Sequence, residues 1–257
     1  MTTPLFEIDT LTYDVPGRRL LDGLSLTLPA GRLIGLIGHN GSGKSTLLKL
    51  LARQVTGGGR ILFEGRDLAG WPARDHARRL AYMPQHTPPT EGMLVEELVA
   101  LGRYPWHGAL GRPGPADRAA IDAALAACGL DPWRGRQVDT LSGGEAQRAW
   151  LAMLVAQEAG CLLLDEPISA LDIAHQVEVL DLVRRLSHEN GRSVIVVLHD
   201  LNMAARYCDH IVALSAGRLA LQGPPGEILT PAALRGIYGV EMEMLTRADG
   251  SPVAHPL

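Results

Sequence analysis

Residues 38–45, GHNGSGKS, follow the pattern G-x-x-x-x-G-K-S, between an apolar run (RLIGLIG, 32–38) and a helical pattern (STLLKLLAR). That context predicts a strand, a tight loop and a helix start, with an anion held at the loop. Gly38, Gly41 and Gly43 let backbone N–H groups turn inward, and the helix start adds positive dipole. His39, Asn40 and Ser42 fill the loop between them. Lys44 can reach β- and γ-phosphates, the Ser45 hydroxyl can ligate Mg²⁺, and Thr46 can contact an α-phosphate. A glycine loop arising by chance is the bland alternative, and the strand–helix context argues against it.

Two further apolar runs end in polar residues: CLLLDEP (161–167) in two carboxylates, and SVIVVLHD (193–200) in His and Asp. Short continuous runs of this kind fit strands buried on both faces of a parallel sheet. In open parallel sheets ligands bind beyond the carboxyl ends of the strands, so these polar ends are expected to converge. After the second run, DIAHQVEVLDLVRRLSHENG predicts a helix with Ile173, Val177, Leu180 and Val183 on one face, stopping at Gly191.

From about 87 to 159 no strand-like run occurs. Pro/Gly-rich turns surround helical stretches such as MLVEELVALG and ADRAAIDAALAACGL. The first part, with LFEIDTLTYDV and RILFEG, alternates more and predicts an antiparallel β-layer. The expected fold is therefore α/β, a P-loop core with a mainly parallel sheet, an antiparallel β-layer and an inserted helical subdomain. Its boundaries are 1–86 and 160–257 for the core with the β-layer, and 87–159 for the helical insertion.

Asp165 is placed to hold a magnesium shell and Glu166 to orient or deprotonate an attacking water. The alternative is that the pair only caps the next element. His199 could bond a γ-phosphate, or be an ordinary polar strand end. Gln85, in YMPQH, could reach the metal or the water. Tyr13 could stack on adenine, or be a plain strand aromatic. LSGGE (141–145) is a second glycine-rich turn opening a helix, far from the first anion cradle.

Composition narrows the partners. The formal net charge is −4 with no block of like charge, so no nucleic-acid surface or polybasic anchor is expected. Aromatics are only 4%, so the core must come from Leu, Ile, Val and Ala. The three cysteines, Cys128, Cys161 and Cys208, lack metal-site spacing and suggest buried thiols in a reducing compartment. The opening MTTPLFEIDT has no basic start followed by an apolar run, so no signal peptide is expected, and no apolar run is of membrane-spanning length.

With these motifs in this order, the chain resembles the ATP-binding subunit of an ABC transporter over nearly its whole length. The resemblance implies that Tyr13 stacks adenine, residues 38–46 form the Walker A loop, and Gln85 lies in the Q-loop with a place at the metal. It makes residues 141–145 the signature motif and 161–165 the Walker B strand. Glu166 becomes the catalytic acid, SALD (169–172) with Asp172 the D-loop, and His199 the switch histidine. It implies ATP as substrate with Mg²⁺, and a second copy packed head to tail. Ser142, Gly143, Gly144 and Glu145 of one copy would then complete the ATP site of the other. Two anion-binding helix starts on one chain would serve two half-sites of a dimer.

Two positions depart from the usual pattern: Glu145 stands where Gln is common, and Ile168 where Thr is usual, which removes a hydroxyl beside Glu166. A single nucleotide domain resembles importer ATPases, which work with a separate integral membrane permease and, indirectly, a periplasmic binding protein. The expected location is then peripheral, on the cytoplasmic face of the inner membrane. GRYPWHGALGR (102–112), LDIAHQVEVL and HDLNMAARYCDHIVAL are most similar to the ferric hydroxamate importer ATPases. Haem, vitamin B12 and other siderophore importers stay open, as does a non-transport ABC ATPase of the iron–sulfur assembly type. A simple nucleotide kinase would leave LSGGE and SALD without a role.

Overall fold

The computed structural model describes residues 4–108, 111–248, 250 and 252–257. The chain divides into two units, Met1–Trp71 with Leu186–Leu257, and Pro72–Arg185.

The first unit begins with β1 (Phe6–Val15), β2 (Arg18–Leu28), β3 (Leu33–Ile37), α1 (Lys44–Leu51), β4 (Gly58–Phe63) and the short β5 (Arg66–Asp67). Strands β2-β1-β4-β5 form an antiparallel layer, as the alternating pattern predicts. Its turns follow from local chemistry. Pro16 presets φ and Gly17 supplies φ of 75°, which reverses the chain between β1 and β2. Glu64 and Gly65 both take positive φ (50° and 74°), the twist a two-residue hairpin needs. Phe6 and Phe63 stack on one face of this layer with ring centroids 4.8 Å apart.

The second unit carries α2 (Ala73–Arg79), β6 (Leu80–Met83), α3 (Val95–Leu101), α4 (Tyr104–His107), α5 (Pro115–Ala127), α6 (Gly143–Ala156), β7 (Cys161–Leu164) and most of α7 (Ile173–His188). β6 and β7 pair in parallel, Leu80 opposite Cys161 and Met83 opposite Leu164. Between them the described elements are helical, apart from one isolated bridge joining Leu94 and Gln137. Val95, Leu98, Val99, Ala124, Leu125, Leu151 and Ala152 fill the space among α3, α5 and α6. Of the stretch GRYPWHGALGR, residues 109 and 110 lie outside the described residues, as do residues 1–3 of the opening stretch.

The first unit resumes with β8 (Ser193–Val197), α8 (Leu201–Tyr207), β9 (His210–Ser215), β10 (Arg218–Gly223), α9 (Pro225–Ile228), α10 (Pro231–Tyr238), β11 (Met242–Thr246) and β12 (Pro252–Pro256). β3 lies between β8 and β9 and is parallel to both, with Leu33 opposite Val194 and Ile34 opposite His210. Every residue of β3 and β8 is buried, which is why these strands read as unbroken apolar runs.

The expected face of α7 needs correction at its first turn. Ile173 is 75% exposed, and the buried positions are Val179, Leu180, Leu182, Val183 and Leu186. Leu180 and Val183 of the expected face are buried and Val177 is half-buried, but the first turn of the helix stands clear of its core contacts, so apolar spacing extends the stripe one turn too far. The helix also ends at His188 rather than running to Gly191, whose φ of 64° belongs to the turn beyond. Among the described residues no helix is long and apolar enough to cross a membrane.

Candidate nucleotide-binding site

In the first unit the loop after β3 has the backbone that its glycines permit. Gly38, Gly41 and Gly43 take φ of 139°, 76° and 103°. Space forces two of them as well. A Cβ on Gly38 would collide with the Leu214 carbonyl oxygen and lie 2.8 Å from Ser42 Oγ. One on Gly43 would lie 2.6 Å from Leu21 Cδ2. Lys44, only 5% exposed, donates from Nζ to the Gly38 and His39 carbonyl oxygens at 2.8 and 3.1 Å. Its charge is thereby held at the centre of the loop. The Ser42 hydroxyl is fully buried with no hydrogen-bond partner among the described residues. His39 and Asn40 are exposed at the loop tip, and Ser45 and Thr46 are half-buried in the first turn of α1.

Tyr13, half-buried on β1, is the register partner of Leu21, the side chain that packs on Gly43. His199 is exposed just past β8. The next residue, Asp200, caps α8 by accepting the Asn202 and Met203 N–H groups at 2.7 and 3.0 Å. His199 is thus fixed between a strand end and a helix cap.

In the second unit Asp165 directly follows β7, is 1% exposed, and its N–H donates to the Met83 carbonyl at 3.0 Å. Burial, with the Asp165 charge adding to it, pushes the nearby Tyr82 phenol up to about 12. Glu166 has φ of 52°, a left-handed conformation that costs a non-glycine residue roughly 1–2 kcal/mol. Such strain clusters at functional positions. Gln85 is exposed and donates from Nε2 to Glu166 Oε2 at 2.7 Å, so these two predicted site residues do meet.

The start of α6 is a capping box. Ser142 accepts the Glu145 N–H on its hydroxyl at 3.3 Å, while Glu145 Oε2 accepts the Ser142 N–H and hydroxyl at 2.8 and 2.9 Å. Those two donors, the N–H first, hold the Glu145 carboxyl below its ordinary value. Glu145 therefore organises the helix start, a role that the sequence pattern did not assign it. Asp172 likewise accepts from its neighbour His175 and is held low by it, the backbone N–H acting first and the ring second.

Several contributors carry no sequence signal. Arg18 donates to the Gly41 carbonyl at 3.3 Å, and the Gly217 N–H to the Ser42 carbonyl at 3.2 Å. Neither stands near residues 38–46 in the chain.

The sequence profile of the ABC transporter family matches residues 21–169. The ferric enterobactin transport ATP-binding protein FepC of Escherichia coli is 40% identical over 97% of this chain and 93% of its own length. The hemin import ATP-binding protein HmuV of Pseudomonas entomophila is 43% identical, covering 93% and 94%. The iron(3+)-hydroxamate import ATP-binding protein FhuC of Bacillus subtilis is 38% identical, covering 89% and 86%. Among solved structures, the ATP-binding cassette MJ1267 superposes with a TM-score of 0.81 at 22% identity, over 92% of this chain and 99% of that one, and so shares the fold. The chain belongs to the ABC transporter family, as an ATPase of that family.

Proposed function

We propose that this chain powers import of iron(III) siderophores, of the hydroxamate class, as the peripheral ATPase beneath an integral membrane permease. The reading rests on one observation: the chain matches importer ATP-binding proteins across nearly the full length of both partners. A periplasmic binding protein would deliver the cargo, which the ATPase itself does not touch. The work would be done on the cytoplasmic face of the inner membrane.

In this reading two copies pack head to tail. Residues 38–46 of one copy hold the ATP phosphates, and Ser142, Gly143 and Gly144 at the start of the other copy's α6 close on the γ-phosphate. The glycines leave the N–H groups of that helix start open to an anion. Lys44 offers a localised positive charge and Ser42 a buried hydroxyl in need of a partner. Tyr13 would stack on adenine. Glu166, steadied by Gln85, would orient the attacking water and take its proton, and His199 would bond the γ-phosphate.

The oxygen donors fit Mg²⁺. The Ser45 hydroxyl, the Gln85 amide oxygen and the Asp165 carboxylate are hard ligands of the kind this ion takes alongside phosphates and water. They would hold it, and its chemistry would be to neutralise charge on the β- and γ-phosphates.

The test is radioiron uptake from ferrichrome by cells lacking their own siderophore-import ATPase and given this chain, its permease and a binding protein. Uptake is expected, and Lys44→Ala should abolish it. Uptake of haem in place of ferrichrome would favour a second reading, which the 43% identity to the hemin importer subunit supports. A chain that hydrolyses ATP but co-purifies only with non-membrane partners would defeat the transport reading.

A further inference from the structure

We infer that His175 is a positioning residue that fastens the turn at 169–172 to the start of α6, so that the two segments move as one piece. The inference rests on the reading above, in which the start of α6 serves a nucleotide held by a second copy.

A single oxygen, Asp172 Oδ1, accepts both the backbone N–H of His175 at 3.0 Å and the ring Nδ1–H at 2.8 Å. The first bond alone would cap α7. The second does something a cap does not need: it fixes the plane of the imidazole. The opposite edge of that ring lies against Gly144. A Cβ on Gly144 would overlap the ring, with His175 Cγ 2.8 Å and Nε2 3.1 Å away. At Gly143 a Cβ would only touch Leu171, with Cδ2 3.7 Å away, an ordinary contact, so the steric demand for glycine falls on Gly144. Both glycines of the first turn of α6 thus meet residues 171–175. The lack of a side chain at Gly144 is what admits the His175 ring.

Two further ties complete the piece. Gln176 Nε2 donates to the Leu171 and Ile168 carbonyls at 2.9 and 3.3 Å, which holds the turn to α7. Arg148 Nη1 meets Glu178 Oε2 at 3.2 Å, which ties α6 to α7 one step further along. Asp172 and His175 stay accessible at this junction, with side chains 67% and 36% exposed. Without the ring bond, the turn keeps its backbone hydrogen bonds but loses its grip on Gly144. A nucleotide drawing in the helix start would then no longer draw in the turn.

The experiment compares His175→Ala, His175→Asn and His175→Gln in the full chain carrying Glu166→Gln, which slows loss of bound ATP. An asparagine amide can take the place of Nδ1, whereas glutamine carries its amide one carbon too far. Three quantities are read: thermal midpoint, ATP affinity of the monomer, and the ATP concentration that half-saturates dimer formation by light scattering. His175→Ala and His175→Gln should leave the first two near the parent and raise the third about tenfold, the order expected for one coupled hydrogen bond. His175→Asn should stay within about threefold of the parent.

Equal dimerisation in all variants overturns the inference, as does an asparagine variant as impaired as glutamine. If alanine fails to fold, the asparagine–glutamine comparison still decides. If the parent itself forms no ATP-dependent dimer, the head-to-tail reading fails and this inference falls with it.

Discussion

Gln85 and Glu166, 81 positions apart in the chain, are joined by a 2.7 Å hydrogen bond from Gln85 Nε2 to Glu166 Oε2. The bond engages Oε2 of the carboxylate. Glu166 makes this bond from a left-handed conformation, with φ of 52°. A base aimed this way acts through its charge and its direction together. Glu166→Gln keeps the shape and removes the charge. Nucleotide binding should survive and phosphate release should fall by about 10² or more, the usual contribution of a positioned base. Unchanged turnover in a phosphate-release assay would remove Glu166 from that role.

Gly38→Ala tests whether the phosphate loop is shaped by sterics or only by convenience. The new Cβ would meet the Leu214 carbonyl oxygen, a backbone atom in β9 that cannot swing aside, while φ stays at 139°. The expected loss is at least the 1–3 kcal/mol typical of overpacking, read as a lower urea midpoint. Gly17→Ala is the control: nothing lies within 4 Å of its Cβ position, so only the strain of φ at 75° remains. Equal losses at both sites would show that φ, not the Leu214 contact, sets the requirement.

That contact also shows what the sequence could and could not carry. The glycine pattern of residues 38–45 states that a Cβ is unwelcome, yet nothing local says that Leu214 is the obstacle. Strands β3, β7 and β8 were legible because burial on both faces leaves an unbroken apolar run. The terminal hairpin was not legible: Met242–Thr246 and Pro252–Pro256 bury Ala254 alone and show no unbroken apolar run, and β12 is held by Asn202 bonding both backbone groups of Ala254. The polar site residues were readable one by one from local motifs. Their partners were not: His175 against Gly144 and Arg18 on Gly41 depend on packing between distant segments. The exposure of Ile173 at the start of α7 has the same origin, since periodicity gives the spacing of a stripe and not where its cover begins.

The capping box at α6 gives a pH-dependent prediction. Glu145 has a folded pKa below its ordinary 4.5, set by the Ser142 N–H and hydroxyl. A carboxyl depressed on folding adds stability that is complete above the unfolded pKa and is lost as pH falls through the folded one. The stability difference between the parent and Glu145→Gln should therefore be flat from pH 7 down to about 5 and shrink below the ordinary glutamate value. Urea unfolding across that range measures it. Ser142→Ala should cost about 0.5–2 kcal/mol as a lost N-cap. A difference between parent and Glu145→Gln that grows on acidification would reverse the sign and dismiss the box.

Arg103 offers the sharpest stability prediction in the helical unit. Its side chain is 4% exposed, with Nε on Asp117 Oδ1 at 2.9 Å and Nη1 on the Ala156 carbonyl at 2.7 Å and on Glu158 Oε2 at 2.5 Å. The guanidinium also lies 5.0 Å from the Trp106 ring centroid. Asp117 is itself 13% exposed and is held below the ordinary carboxylate range, first by the Gly114 N–H and then by Arg103. Removing only the cation strands that carboxylate and the Ala156 carbonyl in a dry site. Arg103→Ala should accordingly cost about 3–5 kcal/mol in urea unfolding, the usual penalty for breaking a buried pair from one side. Arg103→Lys keeps the charge but not the fork, so it should fall between the alanine variant and the parent. The exposed Arg134, paired with Asp122, is the contrast: its alanine variant should lose no more than about 1 kcal/mol. If the two alanine variants proved equally mild, burial would not be what gives the Arg103 contacts their strength. α3, α5 and α6 would then be held by their apolar contacts alone.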